Sequence, residues 1–267
     1  MSRIAILGVG KLGEALLSGL LRAGRSEDDV VVSTRRPERA AQLAEKYGVQ
    51  VISNDEAADN AAVLMLAVKP QDMAALLSEL AGSVPADRLV VSMAAGTTTA
   101  TIEAALLPGT PVVRVMSNTP VLVDEAMSAI SAGSHATEEH LALTEQLLRP
   151  VGQTIRVPES QQDAVTALSG SGPAYFFYLV EAMTDAGILL GLPRQVAHDL
   201  IVQTALGSAL MLRDSGEHPV KLREAVTSPA GTTISAIRVM EDHGVRAAML
   251  AALEAARDRS RDLAAGG

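Results

Sequence analysis

The chain has 267 residues, 48% of them apolar, with a formal net charge of −9 at pH 7. That length can bury a sizeable core in one large domain or two smaller ones. The acidic balance argues against general nucleic-acid binding, and the absence of cysteine excludes disulfides and thiolate chemistry and fits a reducing compartment.

The first predicted element is the apolar run Ile4-Ala5-Ile6-Leu7. No charged leader with a long apolar stretch and cleavage site stands before it, so no secretory signal is expected. The run ends in Gly8-Val9-Gly10-Lys11-Leu12-Gly13, after which Leu12, Leu16, Leu17 and Leu20 recur at helical spacing. This reads as strand, tight turn, helix, the context a dinucleotide fingerprint requires. Gly8 permits the turn, Gly10 admits a pyrophosphate to the backbone, and Gly13 lets the helix pack on the strand. The helix N-terminus offers unpaired N–H groups to the phosphates. Lys11 and Leu12 belong to the same candidate cofactor turn.

Val30 to Ser33 reads as a second strand, followed by a helix from about Pro37 to Lys46. A binder of the non-phosphorylated cofactor usually carries Asp or Glu at this strand end, for the ribose hydroxyls. Here stand Ser33, Thr34, Arg35 and Arg36 with no acid, a set suited to a 2′-phosphate. Val49 to Val51 is a short third strand. Asn54 follows in a turn and is a candidate helix cap. Ala62 to Val68 is apolar throughout, as a central parallel strand is. Its carboxyl end brings Ala67, Val68, Lys69 and Pro70 to the ligand side of the sheet, with Pro70 opening the next helix. Leu89 to Gly96 is a fifth strand and loop, Thr99 to Leu106 a helix, and Pro111 to Met116 a sixth strand. That strand opens into Ser117-Asn118-Thr119-Pro120, where Asn118 can meet substrate or nicotinamide. Further strands are expected over 126–131 and 151–157, separated by a helix from Thr137 to Arg149.

The texture changes near Pro158. Helical patterns then run over about 173–190, 193–211, 220–225, 232–241 and 245–258, and the end from Leu263 to Gly267 is expected to fray. The fold class is therefore α/β, with an N-terminal Rossmann-like nucleotide-binding domain over 1–158 and an all-helical C-terminal domain over 159–267. The second domain is expected to bind substrate and to share its apolar surface with a partner subunit. Its long helices carry the small residues Ala182, Ala186, Ala197, Ala205 and Gly207. The apolar stretches are broken by charges or turn residues, so no membrane span is expected. Asp185 on the first long helix is either an inner polar contact or part of a solvated edge.

Two polar segments of this half invite a ligand. Leu168 to Tyr175 reads as a flexible entry to a helix or as an interdomain linker. Val226-Thr227-Ser228-Pro229-Ala230-Gly231-Thr232-Thr233 gathers four hydroxyls and a glycine at one helix N-terminus, either an anion cradle or an oversized cap. The five histidines show no metal-ligand spacing, so no metal site is expected.

The segments Gly8 to Gly13, Leu66 to Gln71, Arg114 to Pro120, Leu168 to Tyr175 and His218 to Thr233 together resemble the pyrroline-5-carboxylate reductase family, over nearly the whole length. The resemblance implies reduction of 1-pyrroline-5-carboxylate to L-proline in the cytoplasm, the last step of proline synthesis, with NADPH (or NADH) as hydride donor. It implies that Ser33, Thr34, Arg35 and Arg36 lie near the adenosine end and that Asn54, Ala67, Lys69 and Pro70 line the cofactor cleft. It places Gly231, Thr232 and Thr233 on the substrate, with Ser228 in the same turn and Thr233 as the candidate catalytic residue. It further implies an interlocked homodimer, with rings of dimers as larger assemblies. Two departures stand out. Ser117 replaces the usual Pro, expected to loosen a loop. Ala230 replaces the usual Gly, and is strained if that position needs φ > 0.

Two other classes remain open from the residues alone. A related two-domain hydroxy-acid dehydrogenase would carry a proton-handling lysine in the helical half, yet helices 173–190 and 193–211 contain none. A non-enzymatic cofactor sensor would need the first domain but not the hydroxyl-rich turn.

Overall fold

The computed structural model of the protein describes residues 3–264. In chain order the strands and α-helices are β1 (Ile4–Leu7), α1 (Lys11–Arg22), β2 (Val30–Ser33), α2 (Pro37–Tyr47), β3 (Gln50–Val51), α3 (Asn54–Asn60), β4 (Val63–Leu66), α4 (Pro70–Leu80), β5 (Leu89–Ser92), α5 (Thr99–Ala105), β6 (Val112–Met116), β7 (Ala126–Ala132), α6 (Glu138–Leu148), β8 (Gly152–Arg156) and α7 (Gln162–Val165). The helical half then contributes α8 (Gly172–Leu189), α9 (Arg194–Ser215), α10 (Pro219–Ala225), α11 (Thr232–Asp242) and α12 (Val245–Ala264).

The eight strands form one sheet in the order β3-β2-β1-β4-β5-β6-β7-β8. All neighbours run parallel except β6 and β7. The first six strands follow the doubly wound dinucleotide order, whose reversal falls between β1 and β4. The register places Leu7 beside Ser33 on one side and Leu66 on the other, so β1, β2 and β4 end level at that reversal. These strands are buried at every position, as central parallel strands covered on both faces must be. One core cluster packs Leu16, Leu17 and Leu20 of α1 on one face of the sheet, and another packs Leu76, Leu77 and Leu80 of α4 on the other.

The compact units are 3–171 with 256–264, and 172–255. The first is thus longer than the 1–158 expected of the nucleotide domain. In the second, α8 and α9 pack closely through small residues: a Cβ on Gly187 would lie 2.7 Å from that of Ala197. Asp185 is a solvated edge group, more than half exposed and paired with Arg194 at 3.5 Å. Among the hydrophobic residues of this unit, only Ala197 is buried.

Several local expectations need correction. The helix at residue 54 is capped by Ser53, not Asn54: Ser53 Oγ accepts from Glu56 N–H while the Glu56 carboxylate accepts from Ser53 N–H. The stretch before α8 is no flexible linker. Residues 166–170 form a π-helical turn, and Ser171 N–H donates to the Thr166 carbonyl at 2.8 Å. Ser117 does not merely loosen its loop, because its hydroxyl accepts a 2.9 Å hydrogen bond from Ser128 on β7. The helices expected to end at Met211 and Asp258 continue to Ser215 and Ala264. Of the expected frayed end, Leu263 and Ala264 complete the last turn of α12, while 265–267 lie outside the described residues.

Candidate active site

At the carboxyl ends of β1, β2 and β4 lies a groove of about 380 Å³. It gathers Gly8, Gly10, Ser33, Thr34, Arg35, Arg36, Asn54, Ala67, Val68 and Lys69, all candidate residues of the sequence. The turn that makes it is built around glycine. Gly8 has φ +89°, and its N–H donates to the Ser33 carbonyl at 2.9 Å, tying the end of β1 to β2. A Cβ on Gly8 would stand 2.5 Å from Val68 Cγ1, and one on Gly13 would stand 2.6 Å from the Gly8 carbonyl oxygen. A Cβ on Gly10 would meet nothing within 4 Å. Gly8 and Gly13 are therefore spent on the turn and on helix–strand contact, while Gly10 leaves the backbone bare toward the groove. The α1 N-terminus begins there without a side-chain cap, so its first N–H groups stay available to an anion. This geometry fits a dinucleotide pyrophosphate.

The groove's charge is mixed. Arg35, Arg36 and Lys69 stand against Asp72 and Glu79 of α4. Arg35 Nη2 donates to Asp72 Oδ1 at 2.5 Å, and Asn54 Nδ2 donates to Glu79 Oε2 at 2.5 Å. The hydrogen bond and charge of Asp72 raise the Arg35 pKa, with a smaller contribution from Glu79. Among the described residues, neither Arg36 nor Lys69 has an anionic partner. Both are solvent-exposed and free to meet a ligand anion.

Other candidate residues sit beside this groove or away from it. Lys11 lines an adjoining hollow with Gly10, Arg36 and Arg39. Leu12 packs on the core, Gly13 is buried beneath the turn, and Pro70 begins α4. Asn118 is not brought to the groove. Its Nδ2 donates to the carbonyl and hydroxyl of Ser169 at 3.2 and 3.3 Å, and its Oδ1 accepts from Met127 N–H at 3.1 Å. In this structure that amide joins the end of β6 to the π-helical turn.

Sequence reasoning missed Asp72 and Glu79, and also the support beneath the glycine turn. Arg39 of α2 donates through Nε to the Val9 carbonyl at 3.3 Å and pairs with Glu14 on α1. Lys46 and Tyr47 each reach the other Glu14 oxygen at 3.0 Å. Burial raises the Glu14 pKa, but the hydrogen bonds from Arg39, Lys46 and Tyr47 outweigh it and hold the carboxyl down at about 2. The Glu14 charge at the helix start is thereby neutralised before any phosphate arrives.

The second unit presents the hydroxyl-rich turn. Ala230 has φ +59°, and Gly231 N–H donates to the Ser228 carbonyl at 3.1 Å. A Cβ on Gly231 would collide with Ser228 Oγ. Gly231 is the N-cap residue of α11, and no side chain caps that helix. The abundant hydroxyls are thus not a cap. Thr227 and Ser235 donate to the carbonyls of Arg223 and Gly231. Among the described residues, the hydroxyls of Thr232 and Thr233 have no hydrogen-bond partner. The turn offers free helix N–H groups and unpaired hydroxyls together, which suits a carboxylate.

The comparisons agree over the length of the chain. Residues 159–263 match the family described as pyrroline-5-carboxylate reductase dimerisation, and residues 3–96 the family described as NADP oxidoreductase, coenzyme F420-dependent. The chain is 45% identical over 267 residues to pyrroline-5-carboxylate reductase from Corynebacterium melassecola, covering 98% of this chain and 99% of that one. It is 46% identical to the Mycobacterium tuberculosis enzyme of that name, covering 98% and 97%. The structure of a pyrroline-5-carboxylate reductase from Coxiella burnetii superposes with a TM-score of 0.93 at 37% identity, covering 98% of each chain. A chain with this glycine cradle and this hydroxyl-rich turn, related to such proteins from end to end, belongs to the pyrroline-5-carboxylate reductase family.

Proposed function

We propose that this chain reduces 1-pyrroline-5-carboxylate to L-proline, the closing step of proline synthesis. The observation that carries the reading is its 45% identity to a reductase of that name, along 98% of its own length. NADPH, or less favourably NADH, supplies the hydride when bound.

The chain's own residues bind, orient and exclude water. Gly8, Gly10 and Gly13, with the α1 N-terminus and Lys11 and Leu12 beside it, hold the pyrophosphate. Ser33, Thr34, Arg35 and Arg36 meet the adenosine ribose and its 2′-phosphate. Asn54, Ala67, Val68, Lys69 and Pro70 flank the cofactor, and Asn118 acts by anchoring the β6 end. The turn at Ser228, Gly231, Thr232 and Thr233 holds the substrate carboxylate through backbone N–H groups and the α11 dipole. The Thr233 hydroxyl adds a contact to the carboxylate or the ring nitrogen. In this assignment residues 1–158 serve the cofactor and 159–267 serve substrate and dimer contact.

No side chain need act as general acid. In a protonated imine the positive charge already activates the carbon. The hydride pair forms the new C–H bond, the C=N π pair returns to nitrogen, and the proton already there stays. Lys221, the only lysine of the helical half, is exposed and paired with Glu217 at 3.0 Å, which supports an imine over a hydroxy-acid substrate. The enzyme works as a cytoplasmic homodimer that can associate further into a ring of dimers.

The test is Thr233→Ala. Its kcat/KM for pyrroline-5-carboxylate falls by roughly tenfold to a hundredfold, the scale of one well-placed hydrogen bond. NADPH affinity, read by direct titration, is unchanged. Wild-type kinetics in the variant remove Thr233 from the site, and loss of NADPH binding assigns the turn to the wrong ligand. A wild-type enzyme that oxidises NADPH without forming proline overturns the activity itself.

A further inference from the structure

The groove at the sheet's reversal point carries a carboxylate that its β2 end lacks. A dinucleotide fold that prefers the non-phosphorylated cofactor places an acid at the end of β2. Here that position reads Ser33-Thr34-Arg35-Arg36, and the acid comes from across the groove instead. Asp72, in the first turn of α4, accepts from Arg35 Nη2 at 2.5 Å. The α4 dipole favours a negative charge in that first turn. The pair is solvent-accessible, with Arg35 67% and Asp72 33% exposed, and such pairs are weak enough to exchange partners. Among the described residues, Arg36 beside it has no such partner.

We propose that Asp72 is a specificity-determining residue, which competes with the cofactor's 2′-phosphate for Arg35 and so moderates the preference for NADPH over NADH. The assignment rests on the cofactor reading above. Arg36 stays available to the phosphate at all times. Arg35 contributes only after leaving Asp72, and the remaining carboxylate repels the incoming dianion. NADH carries no 2′-phosphate and meets neither effect.

The groove can be probed with the adenosine halves of the two cofactors, 2′,5′-ADP and 5′-AMP. Calorimetric titration of the full-length wild type, Asp72→Asn, Arg35→Ala and the double variant gives binding constants without turnover. Circular dichroism confirms that each variant folds, as these solvent-accessible positions predict. Asp72→Asn is expected to tighten 2′,5′-ADP by about three- to tenfold, the scale of one partly screened charge, and to leave 5′-AMP within about twofold. The gain shrinks in 0.5 M salt and disappears when Arg35 is already alanine. The ratio of KM for NADH to KM for NADPH rises in parallel. Weaker 2′,5′-ADP binding in Asp72→Asn would mean that Asp72 positions Arg35 for the phosphate, and overturns the assignment. Equal tightening of both nucleotides, or a full gain without Arg35, overturns it too. A wild type that binds neither NADPH nor 2′,5′-ADP overturns the cofactor reading as well, whereas the other adverse results leave that reading standing.

Discussion

Arg39 donates its Nε–H to the carbonyl of Val9 at 3.3 Å, reaching from α2 into the middle of the glycine turn. The same guanidinium pairs with Glu14, so one side chain fixes both the turn and the first turn of α1 behind it. Glu14 is the hub of this support. Its carboxyl is held at about 2, below its ordinary 4.5: burial opposes the shift, and Arg39, Lys46 and Tyr47 overcome it. A folded-state pKa below the unfolded one contributes stability above pH 4.5, and that stability is lost as pH falls toward 2. After solvent screening the contribution is on the order of 1–2 kcal/mol. Glu14→Gln therefore unfolds at lower urea concentration than wild type at pH 7, and the gap narrows at pH 3.5. A gap independent of pH would remove the ionised carboxylate from this role.

Two glycines with nearly the same backbone angle separate conformation from crowding. Gly8 has φ +89° and no room for a methyl group, while Gly24 has φ +90° and open space within 4 Å. Gly24→Ala incurs only the left-handed penalty, about 1–2 kcal/mol. Gly8→Ala adds the clash with Val68, for a total of roughly 2–4 kcal/mol. Gly8→Ala also weakens NADPH binding more than tenfold, and Gly24→Ala leaves it unchanged. Denaturant melts and a fluorescence titration of both variants check this. Equal behaviour of the two would mean that the close approach at Val68 relaxes freely.

The parts of the fold and groove that are legible in the sequence depend on short-range constraints. The apolar run before Gly8, the glycine spacing and the strand ends at Ser33 and Ala67 each follow from local period and turn chemistry. Those same signals predict that 33–36 and 67–69 share the carboxyl edge of one sheet, where the groove gathers them. What escapes is non-local or competitive. Asp72 looks like an ordinary first-turn acid until α4 packs opposite Arg35. Ser53 and Asn54 are both good caps by residue type, and only Glu56, three residues after Ser53, decides between them. The Asn118 amide is a fair ligand group in isolation, yet Ser169, 51 residues away, takes it up. Of the hydroxyl-rich turn, the hydroxyl cluster and the strained Ala230 are legible. Their freedom from capping is not, since it depends on where each hydroxyl points.

That strained residue makes its own prediction. Ala230, φ +59°, is held left-handed just before the free N–H groups of α11. Glycine there removes a penalty of about 1–2 kcal/mol but restores entropy to the unfolded chain, leaving a net gain of about 0.5–1 kcal/mol. Ala230→Gly thus melts about 1–3 °C higher. On the role proposed for this turn, its KM for pyrroline-5-carboxylate falls while kcat holds, because the N–H groups are presented without strain. A lower melting temperature would mean that the turn adapts to alanine and that the methyl group packs usefully.

The helical unit makes the assembly prediction. Over residues 172–255 no large hydrophobic side chain is buried, and Phe176, Phe177, Leu189, Leu190, Leu200 and Leu206 are each more than half exposed. Covering one such side chain is worth about 1.5–3 kcal/mol. Six of them amount to roughly 10 kcal/mol or more, enough to offset the lost freedom of association. An isolated copy gains none of this, and its α8 and α9 pack chiefly against each other. The match of 159–263 to a dimerisation family agrees with that arithmetic. Sedimentation at low micromolar concentration therefore gives a dimer or a larger assembly, and the melting temperature rises with protein concentration. Phe177→Asp and Leu206→Asp each put an unpaired charge on this surface. Both shift the distribution toward monomer and lower the melting temperature of the helical unit, while NADPH binding by the first unit persists. A compact wild-type monomer, stable and independent of concentration, would mean that these side chains tolerate water and that the apolar surface has another purpose.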